Sequence, residues 1–465
     1  MLLANDKNLD AIKTLSPQIG IKEMTRNITK VDASERQEIA NKNTKKNDTR
    51  REQTLNDDEI ITGYKPFDAD FKHQGYQYGV GKTFKYEGKN SPWFGGFNFF
   101  HKDPFDVFEY FPLVDEVGAR PTRLAKVSTA KQDAILSRQW PRGVTSKMSI
   151  DKEIPLDELI NEQIEEAYRS EGEASKNTNQ LVVDSNGSVV VGTKLAQRIV
   201  SNKKGTTATL LRHSSLLLSS GDDARLMSSE RSNNLFAIGE NTELLSSGRK
   251  AKIYSNGGYS KVSVTGEHSQ LEILGDKVNV SSSGLHAALY VDGKGSSVAG
   301  SGLGSAVNVK GVYASVSSSG NSSTLNVTGT SASVSSSGLS AELTVKGDFV
   351  ATASSGEDAE LRITGNRASV ASSGAFSELT VTGNDARMAV VGDKSQVTYE
   401  GKGGVISVLG IGAKFRGSEG TLVSAVVYDK ESKPIDIITG RIGENGLKPD
   451  TLYTVSDGEF VEVEA

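Results

Sequence analysis

Residues able to do chemistry are sparse in this chain, and the ones with regular spacing are carboxylates. The five histidines are scattered, with no His-x-x-x-His or related ligand spacing, so the imidazole sets that hold a transition metal are not expected. Cysteine is absent, which removes disulfides and thiolate nucleophiles and leaves the redox compartment unread. Glu342, Glu360 and Glu378 recur every 18 residues, a spacing that stacks three carboxylates in one column if the chain coils with that period. Lys346 and Arg362 stand beside them, so the column reads as solvated surface charge.

The element that positions these residues is a glycine ladder. Every ninth residue from Gly239 to Gly410 is glycine, twenty positions without a break. With 48 glycines in 465 residues, such a run marks a repeat architecture. The block Leu339-Ser340-Ala341-Glu342-Leu343-Thr344-Val345-Lys346-Gly347 alternates small or apolar residues with polar ones, which is a short strand with one buried face closed by a turn. Glycine is expected at that turn because it tolerates positive φ. A calcium-binding β-roll needs Gly-Gly-x-Gly-x-Asp turns. Here the turns read Ser-Ser-Gly, Thr-Gly or Lys-Gly with sporadic aspartate, so no metal and no other cofactor is expected.

The blocks alternate in kind. One class carries Leu325, Leu343, Leu361 and Leu379 with Val327, Val345, Ile363 and Val381; the other carries Val316, Val334, Thr352 and Val370 with Ser318, Ser336, Ser354 and Ser372. Two strands per 18 residues predict a mainly β fold, a parallel two-sheet β-solenoid. Inward serines are expected to bond from coil to coil. At roughly 4.8 Å per coil, the 9.5 or so coils between Gly239 and Gly410 make a rod of about 45 Å. Outward positions Ser315, Ser317, Ser333, Ser335, Ala351, Ala353, Ser369 and Ala371 form a flat field of small residues, a candidate face for a protein partner or for self-association. Regular threonine rows, which an ice-binding face would need, are missing.

The remaining segments follow from composition. Residues 1–58 are polar with almost no aromatics, which predicts a flexible arm, with a short helix near Ser34–Ala40. Residues 59–172 are dense in aromatics between Tyr64 and Phe111 and glycine-punctuated, as in a compact α+β head. Asp103-Pro104 reads as a helix start. Pro155 precedes an amphipathic helix near residues 155–170. The solenoid is assigned to residues 180–410, and residues 411–465 to an antiparallel β-cap. Exposed sheet ends need covers, and the head is the expected cover at the N-terminal end.

A net charge of −5 with both signs dispersed disfavours nucleic acid and membrane surfaces as partners. The first residues lack the apolar core of a secretory signal. The expected location is bacterial cytoplasm or virion, with any export by a specialised route.

Two stretches resemble an uncharacterised family of phage, prophage and bacterial proteins: Ile61-Thr62-Gly63-Tyr64-Lys65-Pro66-Phe67 through Phe108, and Ile438-Thr439-Gly440-Arg441 through Tyr453. Members place nine-residue glycine repeats between an aromatic head and a small C-terminal module. The resemblance implies no activity, and Trp93, Asn98 and Phe100 stand where the family has cysteines and a histidine. The Tyr64-Lys65 strand and the Gly-Phe-Asn-Phe-Phe strand also look like the opening strands of ADP-ribosyltransferase-like domains, a likeness that makes Tyr64, His73 and Glu109 catalytic candidates. The favoured expectation is a non-enzymatic structural and interaction protein; the alternative is a secreted effector with an enzymatic head.

Overall fold

The computed structural model describes residues 59–88, 96–137, 140–170 and 179–463. The expected arm at residues 1–58 and its short helix lie outside the described residues.

From Gln180 onward the chain winds into about 14 parallel coils. Each coil gives one strand to each of two sheets, and equivalent residues pair 18 apart, as Glu342 with Glu360 and Ser333 with Ala351. Val345, Leu343, Val334 and their column mates are buried between the sheets. Parallel pairing runs past Gly410 through Lys414–Gly417 and Leu422–Ala425. Antiparallel strands Pro434–Arg441, Tyr453–Ser456 and Glu459–Glu462 then turn both sheet ends back, with Phe415 packed on Tyr453 and Phe460.

The ladder glycines serve a different purpose from the one expected. Only four of the twenty, Gly311, Gly347, Gly365 and Gly383, have positive φ. At every ladder position a Cβ would sit 1.8–2.3 Å from the carbonyl oxygen of the residue one coil earlier. Close backbone approach therefore requires glycine. The left-handed residue lies two positions later and is mostly not glycine: Tyr259, His286, Ser340, Phe349 and Lys394 all have φ between 52° and 58°. Its N–H is satisfied by the next coil, as Ser340 N donates to Glu357 O at 2.8 Å.

The residue after the glycine adds a second ladder. Asp348 Oδ1 accepts from Asn366 N at 2.7 Å, Asn366 Oδ1 from Asn384 N at 3.0 Å, and Asn384 Oδ1 from Lys402 N at 3.0 Å. The expected serine ladder does not form. The hydroxyls of Ser282, Ser318, Ser336, Ser354 and Ser372 are buried without a hydrogen-bond partner among the described residues, because like rotamers on coils about 4.8 Å apart leave their oxygens beyond bonding range. Corner serines succeed within their own coil, as Ser323 Oγ donates to Gly320 O at 2.8 Å.

The head is built on a seven-stranded antiparallel sheet whose long central strands are Ile60–Phe67 and Arg123–Ala130. Asp103 caps a 3-10 turn at Pro104–Asp106, its Oδ1 accepting from Phe105 N at 2.9 Å. The long helix spans Leu156–Ser170.

The head does not close the N-terminal end of the solenoid. It lies along the flank. Phe105, Phe108, Leu113, Ile160 and Ile164 pack on outward-facing Val200, Leu218, Phe236, Tyr254 and Tyr290 of the first coils, while Leu181 of the first coil, in the inward column of buried Ile199, is left exposed. Polar ties fix the register, with Leu113 N donating to Gln270 Oε1 at 2.8 Å and Asn308 Nδ2 to Gly118 O at 3.1 Å.

Two pairs of substitutions test this architecture by denaturant unfolding. Gly338→Ala should destabilise by at least about 3 kcal/mol, since its clash is with backbone. Ser340→Gly should be neutral or stabilise by up to about 1 kcal/mol by relieving the left-handed backbone. Val345→Asp should unfold the rod by burying an unpaired charge, and Glu360→Ala should be nearly silent. Equal midpoints within either pair would refute the assigned register.

Candidate functional site

The field of small residues lies as its spacing predicts on one sheet. Ser315, Ser333, Ala351 and Ser369 pair across adjacent strands, as do Ser317, Ser335, Ala353 and Ala371, and all eight are exposed. The inner column extends without charge from Val191 through Met227, Ser281 and Ala299 to Ser407 and Ser424. Beside it runs a row of turn serines, and the two enclose a shallow groove of about 430 Å³. Such a face offers hydroxyls and methyls but no acid, base or nucleophile of altered acidity.

On the other sheet Glu342, Glu360 and Glu378 do align. Glu360 pairs with Arg362 of its own strand, while Glu342 and Glu378 are exposed to water. The column is surface charge.

The head's interior is filled by its own side chains. Phe67, Phe71, Tyr78, Phe97 and Phe99 pack with Met148 and Ile150 on one face of its sheet. Among them lies Lys65, 1% exposed. Its Nζ donates to Asn98 O at 2.9 Å and stands 5.3 Å from the Tyr78 ring centroid. No carboxylate pairs with it among the described residues, and burial pulls its pKa down to about 7.

Tyr64, His73 and Glu109 are not gathered into one site. Tyr64 lines a cleft of about 640 Å³ with His101, Lys126 and Arg198, and burial raises its pKa, as does neighbouring Glu162. Glu109 lines a separate groove of about 1030 Å³ between the head and the solenoid. His73 packs against the Phe111 ring, and burial, with nearby Lys65, lowers its pKa to about 4.

What the sequence reading missed is the seam between head and solenoid. Lys252 Nζ donates to Phe111 O at 2.8 Å and also to Phe108 O, and burial lowers its pKa to about 8. Arg198 pairs with Asp103 at 2.9 Å. A signal was present: Leu218, Phe236 and Tyr254 are apolar at positions where a one-sided strand should be polar.

Residues 61–162 match the family described as Domain of unknown function (DUF7666). The match covers the head sheet and the first half of the long helix. The head is thus similar to a family without an assigned activity. No curated protein and no solved structure matches the chain. No helix among the described residues is long and apolar enough to cross a membrane.

Lys65 yields a pH test. Its folded pKa lies below the usual 10.5, so between about pH 7 and 10.5 the unfolded chain holds more protons and stability rises with pH. Wild-type unfolding free energy should climb by on the order of a few kcal/mol from pH 7 to 10. Lys65→Met should remove most of that slope, leaving the smaller share from Lys252 and, below about pH 8, an opposing share from Glu272. An unchanged slope in the variant would show that the amine is hydrated in the folded head.

Proposed function

We propose that this protein is a rigid scaffold that presents its uncharged serine and alanine face to a flat protein surface, a second copy of the chain being the occupant to test first. The observation that carries the reading is the continuity of that face. Its inner column runs uncharged along the sheet and is exposed from Ser281 to Ala371, while the opposite sheet is covered by the head over its first coils and charged beyond them. A parallel β-solenoid scaffold fits a non-enzymatic structural role, and an aromatic-filled head supports the same reading. A phage or prophage setting belongs to the proposal as well; its support is the resemblance of the head opening and of residues 438–453. The structure offers no specific observation in favour of an ADP-ribosyltransferase-like head.

Light scattering across a wide concentration range tests the proposal. The wild-type chain should gain mass with concentration. The double variant Ser317→Lys with Ala353→Glu, two coils apart on the exposed column, should stay monomeric with its melting changed little. A wild-type chain that remains monomeric at every concentration would sink self-association through this face.

A further inference from the structure

The seam between head and solenoid contains one group that a stable joint would ordinarily exclude. Glu272 faces outward from the solenoid between Tyr254 of the preceding coil and Tyr290 of the following one. The head covers it, leaving 8% exposed, and no hydrogen bond or ion pair reaches its carboxyl among the described residues. The group that acts on it from the head is Asp157, in the first turn of the long helix, whose own Oδ2 accepts from Asn256 Nδ2 at 2.9 Å. The other charges around it are engaged. Glu158 of the same turn pairs with Lys152. Lys252 is bonded to head carbonyls. Tyr290 donates to Asp292 at 3.1 Å and lies under Lys310. The hydroxyl of Tyr254, a fully buried side chain, lies against the Asp157 backbone. An ionised Glu272 would therefore be a buried, unpaired charge facing a second carboxylate, which a protein interior tolerates only at large cost.

We propose that this joint is a proton-gated clamp. With the Glu272 carboxyl neutral, the first turn of the Leu156–Ser170 helix seats on the solenoid; with it ionised, that turn lifts and uncovers Tyr254 and Glu272, while Phe236 stays under Phe105 and Phe108. Burial, reinforced by Asp157, raises the acid's pKa from the usual 4.5 to about 8. The folded pKa is raised, so the acid's contribution to docking is complete below about pH 4.5 and is lost as pH rises through about 8. Lys252 acts in the opposite sense and in a higher window, above about pH 8.

Hydrogen exchange on the full chain, corrected for the intrinsic pH dependence of exchange, tests the clamp. Protection of the helix amides should fall between pH 5 and pH 8, by no more than about tenfold per pH unit, the limit for one proton. Protection of the distant Leu343–Val345 strand should stay constant. Glu272→Gln, a neutral isostere of the protonated acid, should hold the helix protected at both pH values. Asp157→Asn should shrink the fall. The proposal is overturned if the wild-type helix shows no fall, if the glutamine variant falls equally, or if that variant leaves the helix unprotected at every pH.

Discussion

The structure depends on one contact repeated along its length: the backbone of each coil resting against the backbone of the coil before it at the turn. A Cβ at a ladder position would overlap the carbonyl oxygen of the coil before within 2.3 Å, so a turn can stack on the preceding one at strand spacing only if it lacks a side chain there. Once that spacing is set, much else follows. Strands pair in register for the whole stack, Asp and Asn after the glycine bridge to the next turn, and each left-handed corner residue donates its N–H to the following coil. The corner residues tolerate an unfavourable φ because neighbours on both sides hold them.

Regular stacking has a cost inside the core. Although at the corner Thr242 and Ser260 do join one coil apart at 3.0 Å, among the described residues the hydroxyls of the inward serines of the later coils are left without partners. Their small size is the compensation: with valine opposite, they let the two sheets approach where a larger side chain would force them apart. The same economy of size appears outside, where serine and alanine leave a flat, uncharged face. The two faces of the solenoid thus diverge, one bare and neutral from Asn279 to Ala371 with Arg225, Glu243, Lys261 and Arg387 outside that span, the other occupied by the head or charged.

The head is organised by the solenoid as much as by its own core. One side of its sheet is closed by aromatics from the head itself, and the other has the solenoid's first coils as its hydrophobic complement. Polar groups carried into this seam are the ones with displaced acidities, Lys252 downward and Glu272 upward. Lys65 shows the same effect in the head's closed interior. Burial is the leading cause in all three cases, and the low-dielectric setting rather than a catalytic constellation accounts for them.

The repeat was legible from sequence because its contacts are encoded locally: a residue's neighbour in space is its equivalent 18 positions on, so periodicity is contact. The strands, the 18-residue coil and the placement of Ser317, Ser335 and Ala353 on one face all follow from that rule. The purpose of the glycines did not, because both positive φ and close approach select glycine and only the geometry separates them. Where the head sits was decided by tertiary structure alone. Its docking joins residues such as Phe111 and Lys252, or Gly118 and Asn308, which are 141 and 190 positions apart. No periodic pattern links such residues. The chain marks the covered strip only by placing Leu218, Phe236 and Tyr254 on the outside, and which surface covers them depends on shape complementarity that exists only after both parts have folded.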